Sequence, residues 1–197
     1  MNIENAKESL LDLKRVFDDF GCRFWLSDGT LLGCIREQNF ISHDPDIDVS
    51  IFIEEWNDDI LNKLKDDGFN LKYRFGVPEY GMEIAIEKRG IKIDLMFYYS
   101  DTIIKDEENN SLVWHSLWER DSSIGGKMRK MIRCTYKPFR LVETNFLDTK
   151  FWIPGDTETH LIRKYGENWK IPVKEWDWAN DPLNAEKVAI FIPYTLF

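Results

Sequence analysis

The chain has 197 residues, 43% of them hydrophobic and 31% charged, which suits one domain with a real core. Its net charge of -9 argues against a general nucleic-acid binder, which carries an excess of Lys and Arg. The opening Met-Asn-Ile-Glu-Asn-Ala-Lys-Glu has no apolar signal core, and no apolar run reaches the roughly 20 residues that span a bilayer.

These features predict a cytoplasmic protein, or a catalytic domain cut from a longer one. Cys22, Cys34 and Cys134 are scattered and form no CxxC pair, so they read as free, buried thiols. Along the chain, residues 4–20 predict an amphipathic helix. Ala6, Leu10, Leu13, Phe17 and Phe20 recur at helical spacing, and Gly21 supplies a stop. Residues 23–26 predict a short strand. Asp28-Gly29 predicts a turn, followed by a helix over 30–37 and a loop over 39–45. Residues 46–53 predict a strong strand, and 54–67 a second helix closed by Gly68.

The middle of the chain reads as β-rich. Residues 70–75, 82–88 and 91–99 each predict a strand, with a tight hairpin at Arg89-Gly90. Residues 106–110 read as a polar turn, and the apolar run 112–118 suits a strand. Residues 122–140 are basic, with Lys127, Arg129, Lys130, Arg133, Lys137 and Arg140. They suit either a diphosphate contact or a solvated face. Pro154-Gly155 introduces a short helix over 156–165, stopped by Gly166. The tail, rich in Trp and Pro, wraps the domain. The division predicted is a core over about 1–100 and an extension over about 101–197, in one domain.

The chemistry concentrates in two places. Asp46 and Asp48 stand at the head of the 46–53 strand, and residues i and i+2 of a strand share a face. Two carboxylates side by side repel unless a cation sits between them. The simplest occupant is Mg²⁺ (or Mn²⁺), a hard ion that bridges carboxylates to substrate phosphates. Asp94 then interrupts the apolar run Ile91 to Phe97, where an acid is costly unless paired or metal-bound. If the two strands are neighbours, three carboxylates converge, as metal-assisted phosphoryl transfer requires. A buried ion pair would also account for Asp94, and a solvated loop for Asp46 and Asp48. His43 suits a substrate contact or a solvated loop equally. Arg36 suits a phosphate contact or a surface salt bridge. His115 and His160 have no ligand partner at a recognisable spacing.

The run Asp28-Gly29-Thr30-Leu31-Leu32-Gly33-x-x-Arg36, then Phe40-Ile41 and Asp44-x-Asp46-Ile47-Asp48-Val49, resembles the LicD/fukutin family of the nucleotidyltransferase superfamily. The likeness continues at Lys92-Ile93-Asp94-Leu95, Phe151-Trp152-Ile153-Pro154 and Tyr165-Gly166-x-x-Trp169. It ends at Ile171-Pro172-Val173-Lys174-x-Trp176-Asp177-Trp178, which is most similar to fukutin-like members. The resemblance implies an α/β (α+β) polymerase-β-like nucleotidyltransferase fold, with a small mixed sheet flanked by helices. It implies transfer of a phospho-alcohol from a CDP-linked donor to a glycan hydroxyl, with CMP leaving. The alcohol is phosphocholine in LicD-like members and ribitol phosphate in fukutin-like ones. Asp46, Asp48 and Asp94 would be the metal-binding and catalytic carboxylates. Gly29, Thr30 and Arg36 would hold donor phosphates, with Asp28, Gly33, His43 and Asp44 close to substrate. Two positions depart from the family pattern. Ser42-His43 stands in place of Pro-Trp, and Pro45 replaces the middle of three consecutive acids, which leaves the donor's identity open. The alternative reading is transfer of a nucleoside monophosphate to a small acceptor with release of pyrophosphate. A non-enzymatic nucleotide- or sugar-binding module is a further rival, which the three acids disfavour.

Overall fold

The computed structural model describes residues 1–100, 104–122 and 128–193. Helix α1 (Ile3–Asp19) starts where the Asn2 side chain accepts the Asn5 N–H, satisfying one of the orphan donors of its first turn. It buries Ala6, Leu10, Leu13 and Phe17 of the predicted stripe and adds Val16, whereas Phe20 caps the helix and is exposed, and the chain leaves through Gly21 at a positive φ. Strand β1 (Phe24–Leu26) leads directly into helix α2 (Asp28–Arg36). Asp28-Gly29 is thus the first turn of a helix rather than a separate turn, with Asp28 at φ +44°. Strand β2 (Asp46–Phe52) follows. The single helix predicted over 54–67 is divided. A short 3-10 turn over Ile53–Glu55 precedes α3 (Asp58–Asp66), because Trp56 is extended and the Asn57 side chain opens a new helix by accepting the Asp59 N–H.

Strands β3 (Asn70–Val77), β4 (Tyr80–Lys88) and β5 (Ile91–Tyr99) match the β-rich middle. Arg89 and Gly90, both at positive φ, make the two-residue turn between β4 and β5. Beyond them come β6 (Val113–Asp121), β7 (Met128–Tyr136), β8 (Leu141–Phe146), β9 (Thr149–Pro154), α4 (Thr157–Tyr165) and β10 (Ala185–Pro193). The α/β class is as predicted, but the sheet is not small. Its order is β10-β7-β6-β5-β2-β1-β9-β8, with β4 also on β5 and β3 on β4. The basic stretch over 122–140 contains β7, a strand paired on both edges, in which Arg129, Lys130 and Arg133 are interspersed with buried Met131, Ile132 and Cys134. Charge masked its strand period. Lys127 lies outside the described residues.

One pairing sets up everything that follows. β2 and β5 are parallel neighbours, with Asp46 opposite Lys92 and Asp48 opposite Asp94. On their other face Ile47, Val49, Ile51, Ile93, Leu95 and Phe97 are completely buried in one cluster with α1. Each such side chain contributes about 1.5–3 kcal/mol by burial. That packing anchors the strands whose opposite face carries the acids. β5 is also shared along its free edge. Residues from Ile91 to Met96 pair with β4, while Tyr98 and Tyr99 pair with β6. The three cysteines are free and buried, as predicted. Among the described residues no helix is long and apolar enough to cross a membrane.

Candidate active site

Parallel register puts Asp46, Asp48, Lys92 and Asp94 on one face at the heads of β2 and β5. The loop before β2 brings Asp44 to them. Oxygens of Asp44, Asp46 and Asp48 all lie within 4.8 Å of one another, a spacing compatible with a shared hard cation. Asp94 is engaged differently. Lys92 Nζ reaches Asp46 Oδ2 at 2.7 Å and Asp94 Oδ2 at 2.8 Å, bridging the two strands. The structure therefore gathers Asp44 into the tightest cluster and places Asp94 one side chain away, behind Lys92.

The glycine-marked motif explains how the acids are held. The backbone N–H of Gly29 donates to Asp48 Oδ2 at 2.9 Å, at the N-terminus of α2, where the helix dipole favours an anion. A Cβ at Gly29 would meet Asp44 Oδ2 at 2.3 Å and Asp48 Oδ2 at 3.1 Å, so only glycine admits both carboxylates. Thr30 Oγ1 accepts the Asp48 N–H at 2.8 Å and is buried against β2. Gly33 lets the 39–41 loop approach, since a Cβ there would lie 2.6 Å from the Asn39 carbonyl oxygen. Thr30 and Gly33 support the site from behind, and neither lines the cavity described below.

The electrostatics are those of an incompletely neutralised cluster. Burial, reinforced by hydrogen bonding and repulsion from Asp46, pushes the Asp44 carboxyl up to about 7. Asp48 is raised well above the usual carboxylate range by burial and then by Asp46, Asp28, Asp44 and Asp94. Asp94 is raised by burial, with Lys92 opposing. Lys92 is itself raised, because Asp94 and Asp46 outweigh its desolvation. Tyr73 Oη lies 3.0 Å from Asp94 Oδ1 and 3.1 Å from Glu83 Oε1. One hydroxyl proton cannot serve both acceptors. Burial and the Asp94 charge push Glu83 up to about 8, toward the protonated form that this geometry favours.

These groups form the floor of a cavity of about 550 Å³. Asp28, Gly29, Arg36, His43, Asp44, Asp46, Asp48 and Asp94 all line it, joined by Lys92, Tyr73, Glu83, Arg129 and Lys164. Six carboxylates are thus met by five cations, counting Lys174, so the cavity can take a metal and a phosphate together. Asp28 is in a buried ion pair with Lys164 of α4. Burial pushes the Asp28 carboxyl up, but the Lys164 charge and hydrogen bond, with smaller contributions from neighbouring groups, together hold it below its usual range. Asp28 is consequently already satisfied by the protein. Arg36 donates to Glu37 Oε1 and to the Trp169 carbonyl, so it ties α2 to the C-terminal segment. That segment closes the cavity with Trp169, Ile171, Val173, Trp176 and Trp178.

Sequence reasoning assigned no role to Lys92, Tyr73, Glu83 or Lys164, and reached Arg129 only as one of a basic stretch. Two were within reach. Lys92 stands two residues before Asp94, on the same strand face, and Glu83 interrupts an apolar strand just as Asp94 does. Lys164 gives no such signal in an ordinary amphipathic helix. His115 and His160 do not line the cavity and are buried against Tyr98 and Tyr136.

The family model described as LicD/FKTN/FKRP, nucleotidyltransferase domain, matches residues 21–156, more than half of the chain. The chain belongs to the LicD/FKTN/FKRP family. It is 33% identical over 189 residues to the ribitol-5-phosphate transferase FKTN of Homo sapiens, and equally to that of Macaca fascicularis. Both matches cover 95% of this chain and 38% of the relative, so the chain spans well under half the length of these proteins. An uncharacterized protein of Caenorhabditis elegans, W02B3.4, is 27% identical over 170 residues, covering 83% of this chain and 42% of its own length. The family match contains the acids, the Gly29 turn and Lys92, whereas Lys164 and the cavity-closing segment lie beyond residue 156. The fukutin matches, unlike the family model, extend over nearly all of the chain.

Proposed function

We propose that this LicD/FKTN/FKRP domain transfers a phospho-alcohol, ribitol 5-phosphate in the first instance, from a CDP-linked donor to a glycan hydroxyl, with release of CMP. The observation that carries this reading is the Asp44, Asp46, Asp48 cluster on the floor of a cavity that also holds five cations. The name of the FKTN relatives supports the choice of alcohol.

The donor set suits a hard divalent cation. It offers three carboxylates, and burial and mutual repulsion raise Asp44 and Asp48, a crowding that a bound cation would relieve. In this reading Asp44, Asp46 and Asp48 hold Mg²⁺ or Mn²⁺, which when bound offsets the charge of the donor diphosphate. The chain's own residues do the rest. Lys92, fixed between Asp46 and Asp94, and Arg129 and Arg36 at the cavity wall, present positive charge to the diphosphate. The Gly29 N–H holds Asp48 in place. The aromatic segment limits water, which would compete with the acceptor. The acceptor oxygen attacks the alcohol-bearing phosphorus in line. The new O–P bond forms as the bond to the CMP oxygen breaks, and the acceptor's proton passes to a carboxylate of the cluster.

Phosphorus NMR of CDP-ribitol incubated with the protein and Mg²⁺ tests the reaction type. Metal-dependent appearance of CMP, with ribitol phosphate on acceptor or water, is the expected result. Consumption of CTP with pyrophosphate release and no attack on CDP-ribitol would replace this reading with nucleotidyl transfer.

A further inference from the structure

The segment over 168–178 carries large apolar side chains that the fold does not cover. Ile171 is 63% exposed, Val173 55% and Trp178 48%, and all three line the mouth of the acidic cavity. Trp176 lines the same wall and packs on Tyr165 at 4.9 Å. Exposed apolar groups on an irregular segment normally cost ordering entropy without return. Here the segment is nevertheless tied down. The N–H groups of Asn180 and Asp181 donate to the Asp177 carbonyl, and the Asp177 N–H donates to Asp181 Oδ2. Asp177 Oδ1 and Oδ2 accept from the Ala179 N–H and the Asn180 side chain. Lys187 of β10 then binds Asn180 Oδ1 and Glu119, fastening the turn to the sheet. Trp178 sits inside this turn, on an ordered backbone and with about half of its surface facing solvent.

We propose that Trp178 and Trp176, with Lys174 beside them, form the subsite for the acceptor sugar. The inference rests on the phospho-alcohol transfer reading and names where its second substrate sits. A flat apolar face rimmed by polar groups fits a pyranose ring, which has C–H faces and a belt of hydroxyls. Position decides between acceptor and donor. A small CDP-alcohol can be enclosed on the floor beside the acids and cations. A sugar that belongs to a larger glycan must leave by the mouth, where the exposed tryptophan stands. A backbone already ordered by the Asp177 turn lowers the entropy cost of presenting the ring.

Saturation-transfer NMR with methyl glycosides of the common hexoses and N-acetylhexosamines tests this without donor, metal or turnover. At least one glycoside gives a signal in the wild type. Trp178→Ala weakens its affinity by roughly tenfold, the size of one lost ring contact. Trp178→Phe recovers most of it at an unchanged melting temperature. No signal from any glycoside, or an equal signal in Trp178→Ala, overturns the subsite. So does displacement of the glycoside by CMP, which would give this wall to the donor's base. The phosphorus NMR assay of CDP-ribitol is read separately, so failure of the subsite and failure of the transfer reading give different results.

Discussion

The site-bearing face of β2 and β5 has two ends that treat polar groups in opposite ways. At the head, Asp46, Asp48, Lys92 and Asp94 reach a cavity, and their carboxylates crowd one another. Farther along the same face, Tyr98, with His115 and Tyr136 on the adjoining strands, is sealed among Trp25, Phe139 and His160. There burial keeps titratable groups neutral. His115 is pushed down to about 4 and His160 to about 3, while the Tyr98 and Tyr136 hydroxyls are pushed up. Polarity alone does not mark a site. Charge left crowded beside an open cavity does, because a ligand can relieve it.

The comparison is sharpened most by removing one acid. Asp48→Asn should lower turnover by about a thousandfold or more. In metal-free buffer it should raise the melting temperature, since it relieves repulsion from Asp46, Asp44, Asp28 and Asp94. A variant that melts lower than wild type would contradict the crowded-charge account. Lys164→Met removes the partner of buried Asp28 and should cost about 3–5 kcal/mol in denaturant unfolding. Adding Asp28→Asn to it should restore much of that loss. Equal stability of the single and double variants would show that the pair is not what holds α4 against α2.

Smaller effects follow. Gly29→Ala forces a Cβ into Asp44 and Asp48 and should cost about 1–3 kcal/mol together with metal affinity. Unchanged metal binding in that variant would break the link between the helix turn and the acids. At the sealed end, His115 and His160 stay neutral in the fold, whereas the unfolded chain takes up protons near pH 6.5. The two histidines therefore lower the unfolding free energy as pH drops from about 6.5 toward 4, against the opposite contribution of the raised Asp44 and Glu83 carboxyls, and replacing His160 with Phe should remove its share of that loss. A slope unaffected by the replacement would remove His160 from the account.

Much of the head of the site was legible because strand periodicity is a strong rule. Asp46 and Asp48 had to share a face, and Asp94 stood out against an apolar run. The pairing of β2 with β5, which brings them together, is a long-range choice that periodicity does not encode. The Asp28-Gly29 turn was misread because glycine there serves close approach of Asp44, not chain reversal. β7 was hidden by its cations, and β9 and β10 add to the sheet on β1 and β7, partners far along the chain, with β8 joined to β9 in a local hairpin. Lys164 was illegible for a related reason. Its meaning lies in Asp28, 136 positions away, and no local pattern announces such a partner.

The central claim is that the Asp44, Asp46, Asp48 cluster binds a divalent cation that supports a CDP-linked donor. Calorimetric titration of CDP-ribitol with and without Mg²⁺ or Mn²⁺, into wild type and Asp48→Asn, tests it most directly. The account predicts binding to wild type only with the cation, and no cation-dependent gain in Asp48→Asn. Equal binding without the cation, or a full cation effect in Asp48→Asn, would contradict it.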